Sequence, residues 1–152
     1  MTAELRAKQK SLYEADYLQW IETTVEKLRI SDYSNVDWDN LIEEIADMAR
    51  SERKSLKSNL VVVLMHLLKW QYQPERRSGS WKGSIVEHRR RIRDDLKDSP
   101  SLKPYLEEVL AECYADAVIQ ASAETDLPVE SFPPLCAYTV IEILDSKFFP
   151  QS

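Results

Sequence analysis

Apolar residues along this chain recur at intervals of three and four, and alternation is confined to short β-branched runs, so the pattern predicts helices throughout. The first main helix begins near Asp16, carries Tyr13, Tyr17, Trp20, Ile21, Thr24 and Leu28 on one side, and ends around Ile30 before a polar turn over 31–35. Asp37 has the chemistry of an N-cap, with Asp39 in the first turn to complement the helix dipole. No glycine or proline follows until Pro74, so a second, long helix is expected over 38–73, with a kink within 50–58 left open. Ser80 is the expected cap of a third helix with the stripe Trp81, Ile85, His88, Ile92 and Leu96. A fourth opens at Ser99-Pro100 or Ser101 and repeats Leu102, Leu106, Val109 or Leu110, Cys113, Ala117 and Ala121, small residues that let a neighbour come close. Beyond prolines 128, 133 and 134, a short last helix is expected within 138–145. The expected fold is all-α: one domain over 1–152, a bundle of four main helices with a short C-terminal helix, and 1–11 flexible.

Projected at about 100° per residue, Leu41, Ile45, Met48, Leu56, Val63 and Trp70 of the second helix fall within about 60° of one another and define its expected core face. Glu52, Asn59 and His66, spaced seven apart, share that face, and His88 holds the equivalent face of the third helix. Glu44 borders the same line, while Glu43 lies on the far side. A carboxylate buried without a partner is costly and responds by pairing or by a raised pKa. Glu52 is therefore paired, protonated, or less buried than the period implies. One reading of Glu52, Asn59, His66 and His88 is a buried hydrogen-bond network; the other is a metal or acid-base site in the bundle interior. Bundles do build metal sites from inward Glu and His, but the strong form, Glu-x-x-His on two helices, is missing here. The metal stays unknown, and no cofactor is expected.

Composition narrows the classes. At 152 residues, 43% hydrophobic and 30% charged, the chain is long enough to bury a core without disulfides or metals and unlike a disordered one. Only Gly79 and Gly83 occur where average usage gives about ten. Neither G-x-G-x-x-G nor G-x-x-x-x-G-K-[ST] is available, which excludes the common phosphate-cradling loops. Both glycines fall at the start of the third helix, where Gly79 is expected to turn the loop and Gly83 to admit a close neighbour.

A net charge of −6 and a pI near 5.0 argue against a general polyanion binder. The distribution is uneven, with nine acids against two lysines from Ser99 onward and eight bases against five acids over 75–98. Cys113 and Cys136 have no C-x-x-C spacing, and residues 1–10 have no apolar core of the kind a signal peptide needs, so a reducing cytoplasm is the expected compartment. The longest apolar run, Leu60 to Leu68, is interrupted by His66 and falls well short of the ~20 residues a membrane helix requires.

Arg76, Arg77, Arg89, Arg90, Arg91 and Arg93, with Trp81 to stack on a base, resemble a single-strand nucleic-acid surface, but Asp94 and Asp95 stand ready to neutralise an ordinary solvated face. Trp20, Trp38, Trp70 and Trp81 read as core or core-edge residues. No Ser-His-Asp order or nucleophile elbow is present, and neither cysteine has an evident histidine partner.

The chain is densely specified from His66 through Leu67-Leu68-Lys69-Trp70-Gln71-Tyr72-Gln73-Pro74 to Arg77, then at Trp81. Together with Asn40-Leu41-Ile42-Glu43-Glu44-Ile45, Arg50-Ser51-Glu52-Arg53, Ser99-Pro100-Ser101-Leu102 and Tyr138-Thr139, these motifs resemble a bacterial family, abundant in cyanobacteria, known only as domain of unknown function number twenty-nine. The resemblance runs from about Tyr13 through Pro150. It implies an all-helical cytoplasmic domain with no established activity. It also implies Gln as the common residue where this chain has His88, which weighs against His88 as a ligand.

The leading expectation is a noncatalytic module that binds another protein through Trp70, Tyr72, Arg76, Arg77 and Trp81, with a homo-oligomer as one form of it. The alternatives are a metal or acid-base site around Glu52 and His66, and a nucleic-acid accessory protein using 76–93. Neither a membrane nor nucleic acid is the expected partner.

Overall fold

Short polar side chains at the ends of the apolar periods decide where each helix begins. The structure, a computed structural model, describes residues 11–152, which are helical with no strand among them. Ser11 caps a four-residue helix α1 (Leu12–Ala15), its Oγ accepting from the Glu14 N–H at 3.3 Å. The rest of the segment expected to be flexible, residues 1–10, lies outside the described residues. Asp16 caps α2 (Tyr17–Arg29) by accepting from the Gln19 N–H at 3.1 Å, and Asp37 caps α3 (Trp38–Tyr72) by accepting from the Asn40 N–H at 3.3 Å. α3 runs for 35 residues without interruption, about 52 Å at 1.5 Å per residue.

Two expectations about α4 (Gly79–Asp98) are corrected. Its cap is Ser78, whose extended backbone turns the chain and whose Oγ accepts from the Trp81 N–H at 3.2 Å; Ser80 lies inside the helix. Neither glycine has a positive φ, and a Cβ added to either would meet nothing within 4 Å, so Gly83 admits no close neighbour. The left-handed positions belong instead to Ser31 and Asp126, which end α2 and α5 (Leu102–Thr125). A short helix α6 (Val140–Leu144) closes the order, held by a capping box between Thr139 and Glu142.

The chain divides into two compact units, one ending at Ala49 and the other spanning Arg50–Ser152. The first holds α1, α2 and the opening turns of α3, and buries Trp20, Thr24 and Val36. The second has a continuous core of Leu56, Leu60, Val63, Leu64, Leu67 and Leu68 from α3 with residues of α4, α5 and the C-terminal segment. Here α5 runs parallel to α3 at a constant offset: Lys57 meets Glu112 at 2.6 Å, and three turns further on Lys69 meets Glu124 at 3.3 Å. Cys113, Ala117 and Ala121, one turn apart and fully buried, supply the close approach expected of them.

Arg89 was expected on a solvated basic face and is instead fully buried. The register shows why: Arg89 follows Ile85 by four and precedes Ile92 by three, which places it on the apolar stripe of α4. Its Nε donates to the Ile143 carbonyl at 2.6 Å, and its Nη2 donates to the carbonyls of Phe148 at 2.8 Å and Glu142 at 3.3 Å. The guanidinium thus serves as the C-cap of α6, neutralising carbonyls that a helix end leaves without donors. The Phe149 ring lies 5.3 Å from its central carbon. Burial lowers its pKa to about 10, which leaves it charged at neutral pH.

Replacing Arg89 by Met keeps the volume and leaves the Ile143 and Phe148 carbonyls without this donor, while the Glu142 carbonyl keeps the Asp145 N–H at 3.2 Å. Arg89→Met should lose about 2–4 kcal/mol in urea unfolding, and Arg89→Lys should recover only part because one ammonium cannot reproduce the planar fork. A loss below about 0.5 kcal/mol would show that water satisfies those carbonyls without the arginine.

Candidate functional site

The polar line on α3 separates into individual side chains. Glu52 is exposed, which corrects its expected place in the core, and its charge acts on Asp95 of α4. Asn59 is buried and donates weakly to Ser55 Oγ at 3.5 Å. His66 is half-buried, its Nδ1–H donating to the Val62 carbonyl one turn back at 2.9 Å. His88 is tied in the same manner to the Ser84 carbonyl at 2.8 Å. Glu52 and His66 share a face but stand fourteen residues apart, about 21 Å along the axis, so no single ion can bridge them. Among the described residues no group of three or more His, Cys, Asp or Glu is arranged to hold a metal ion.

Burial is the main force lowering the His66 pKa, with the charges of Lys69 and His88 adding to it against the Val62 carbonyl and Glu124. The thiols are not poised either: burial pushes Cys113 up to about 11 and raises Cys136, so both stay protonated at neutral pH and are weak nucleophiles.

The corner chosen from the sequence is largely engaged within the chain. The half-buried Trp70 packs on Phe149 at 5.1 Å and lies under the Arg77 guanidinium at 5.0 Å, whose Nε donates to the Trp70 carbonyl at 2.8 Å. Tyr72 meets Phe132 edge-on at 5.4 Å, and Lys69 sits 4.5 Å above Trp81. Of the five residues only Arg76 is exposed. The basic segment is also matched locally, since Arg90 lies between Glu87 and Asp94 at 2.8 Å each and Arg91 reaches Glu87 at 3.0 Å. These arginines hold the Glu87 carboxyl down at about 2. A shallow cleft of about 430 Å³ beside Tyr105 has Arg53, Lys54 and Lys57 in its walls, but Lys57 is paired with Glu112 and Arg53 lies over Tyr105 at 5.9 Å.

A groove also stands open in the first unit, between α2 and the opening turns of α3. Its floor is Trp20, Ile21, Val25, Leu41, Ile45 and Met48, with Glu44 in its wall and a volume of about 240 Å³. Glu44 is held by Tyr17, whose hydroxyl donates to Oε2 at 2.5 Å, and by the Tyr13 hydroxyl on Oε1. Both phenols are raised, by that hydrogen bond foremost, Tyr13 to about 12, so they remain donors at neutral pH. Tyr13, Tyr17 and Trp20 form a ring cluster, with Tyr13 edge-on to Trp20 at 4.8 Å. The Trp20 indole N–H is buried without an acceptor.

Ile45 and Met48, expected in the core, are 58% and 66% exposed, as is Ile42 at 59%. Trp38, expected at the core edge, is also exposed, its indole donating to the Tyr33 carbonyl at 3.0 Å. The helix period was right about which residues share a face and silent about where along α3 the packing partners stop. Sequence reasoning missed the groove for that reason.

The lowered His66 pKa has a direction that can be checked. The neutral imidazole is favoured by folding, so its contribution is complete above the unfolded value near 6.5 and is lost as pH falls below that toward the folded value. An NMR titration of His66 should give a midpoint below about 6.5, and the stability advantage of wild type over His66→Gln should shrink between neutral and acid pH. A midpoint above the ordinary value would require a carboxylate partner and revive an acid-base site.

No curated protein matches this chain, and no solved structure matches it. The chain belongs to the family described as domain of unknown function DUF29, whose model matches residues 12–149.

Proposed function

We propose that this protein is a noncatalytic helical module that binds another protein, and that the groove between α2 and the opening turns of α3 is its binding face. One observation carries the reading: on a single uninterrupted helix, the stripe that is fully buried at Leu56, Leu60, Val63 and Leu67 is bare at Ile42, Ile45 and Met48. Scattered exposed apolar residues are ordinary, but a contiguous patch lining a groove marks a surface meant to be covered. The docking surface is thereby shifted from the corner at Trp70, Tyr72, Arg76, Arg77 and Trp81, whose aromatic faces are already used. The two free thiols suit a reducing cytoplasm, and among the described residues no helix is long and apolar enough to cross a membrane.

If the bare stripe serves binding more than folding, substitutions there should be cheap. Ile45→Asp is expected to change urea stability by less than about 1 kcal/mol, whereas Leu60→Ala in the core should cost about 2–5 kcal/mol. A photocrosslinking phenylalanine derivative placed at Ile45, in cells of the source organism, should give a discrete protein adduct. The same group at Ile141, exposed but outside the groove, should give none. Equal or absent labelling at the two positions would remove the groove as a docking face.

A further inference from the structure

We infer that the groove between α2 and residues 41–48 of α3 takes a basic amphipathic helix, its apolar face on Ile21, Val25, Ile45 and Met48 and its cations toward Glu44. This deepens the protein-binding reading above and rests on it. Shape supplies the first part: two helices that leave an apolar trough between them lack one element, and a helix with anchors at i, i+3 or i+4, and i+7 fits such a trough. Met48, unbranched and polarizable, adapts to the shape of what enters.

Charge decides between occupants. The first unit, Met1–Ala49, holds eleven acids against five bases, a net of −6. A second copy presenting the same groove would set −6 against −6, and a nucleic acid or an anionic lipid surface would meet the same repulsion. A helix carrying lysines or arginines is attracted by that field instead. The attraction has a local focus in Glu44, whose carboxylate lies in the groove wall and whose charge acts on the hydroxyls of Tyr13 and Tyr17 at one edge. The Glu44 carboxylate has four lone-pair sites, and the two tyrosines occupy one on each oxygen, which leaves acceptor capacity for an incoming ammonium or guanidinium.

The test uses the full chain and a fluorescein-labelled peptide of leucine and lysine, about 18 residues or five helical turns, with leucines at the spacing above. A partner peptide has the same leucines with glutamate in place of lysine. Fluorescence anisotropy should show the lysine peptide binding at least about tenfold more tightly than the glutamate peptide. Ile45→Asp should weaken the lysine peptide by about tenfold or more although it adds a negative charge, and Glu44→Gln should weaken it less and flatten its salt dependence.

Unchanged or tighter binding to Ile45→Asp would mean attraction by charge alone and would overturn the inference. Equal binding of the two peptides would overturn it as well. Sedimentation equilibrium supplies the remaining occupant: a wild-type dimer that Ile45→Asp dissociates would assign the groove to a second copy. Failure of the broader reading looks different. Peptide binding with no cellular adduct at Ile45 would sink the module, whereas an adduct whose crosslinked segment is not a basic helix would sink only this inference.

Discussion

An α-helix needs its hydrogen-bond ladder satisfied along its whole length but its apolar face covered only where burial is required, and α3 separates these two demands. Without glycine or proline from Trp38 to Tyr72, propagation adds one backbone bond per residue once a turn exists, so nothing in the backbone ends the helix where its core ends. The second unit buries the stripe from Leu56 through Leu67, and the same helix continues upstream as a backbone on which the first unit is built. The first unit is 49 residues long, and its described residues bury three side chains, Trp20, Thr24 and Val36. A helix that needs no cover to keep its backbone bonds lets an apolar trough stay open there without unfolding.

Arg89 imposes a complementary constraint within the second unit. α6 is five residues long, far too short to persist by propensity, and a capping box at its start satisfies only one terminus. The guanidinium supplies the other terminus from the middle of α4, holding carbonyls of Glu142, Ile143 and Phe148 together. A carboxylate partner would have made a compact ion pair; three carbonyls spread over seven residues make a clamp that orders a segment. That segment then covers the core with Phe132, Tyr138 and Ile143, and Tyr138 donates to Gln71 Oε1 at 2.6 Å. One buried cation thus converts a proline-rich tail into a layer of the fold.

Periodicity and capping chemistry made much of this legible. The all-α class, the bounds of α2 at Asp16 and Ile30, the Asp37 cap, the length of α3 and the small-residue face of α5 all follow from local rules that tertiary contacts did not override. The failures have a common form. A helical projection collapses position along the axis, so Glu52 and His66 coincided on a face although about 21 Å divides them, and Ile45 coincided with Val63 although only one of them meets a core. Arg89 was read by its charge and its arginine neighbours before its register, while its register, one turn after Ile85, already placed it inside. Gly83 was read by what glycine permits, and nothing near it uses the permission.

The charge distribution completes the contrast between the two regions of surface. Around Glu87, Arg90 and Arg91 of α4 are answered by carboxylates three or four residues away. The first unit carries an excess of one sign, eleven acids against five bases, and its groove has its own carboxylate in the wall. Opposite charges paired within one face favour a surface that stays solvated. An excess of one sign around an uncovered apolar trough does the reverse, because the trough favours an apolar face and the field selects the charge that accompanies it. Neither α4, with its paired arginines, nor the corner at Trp70 and Trp81, with its stacked rings, combines those two properties, and the groove on α2 and α3 does.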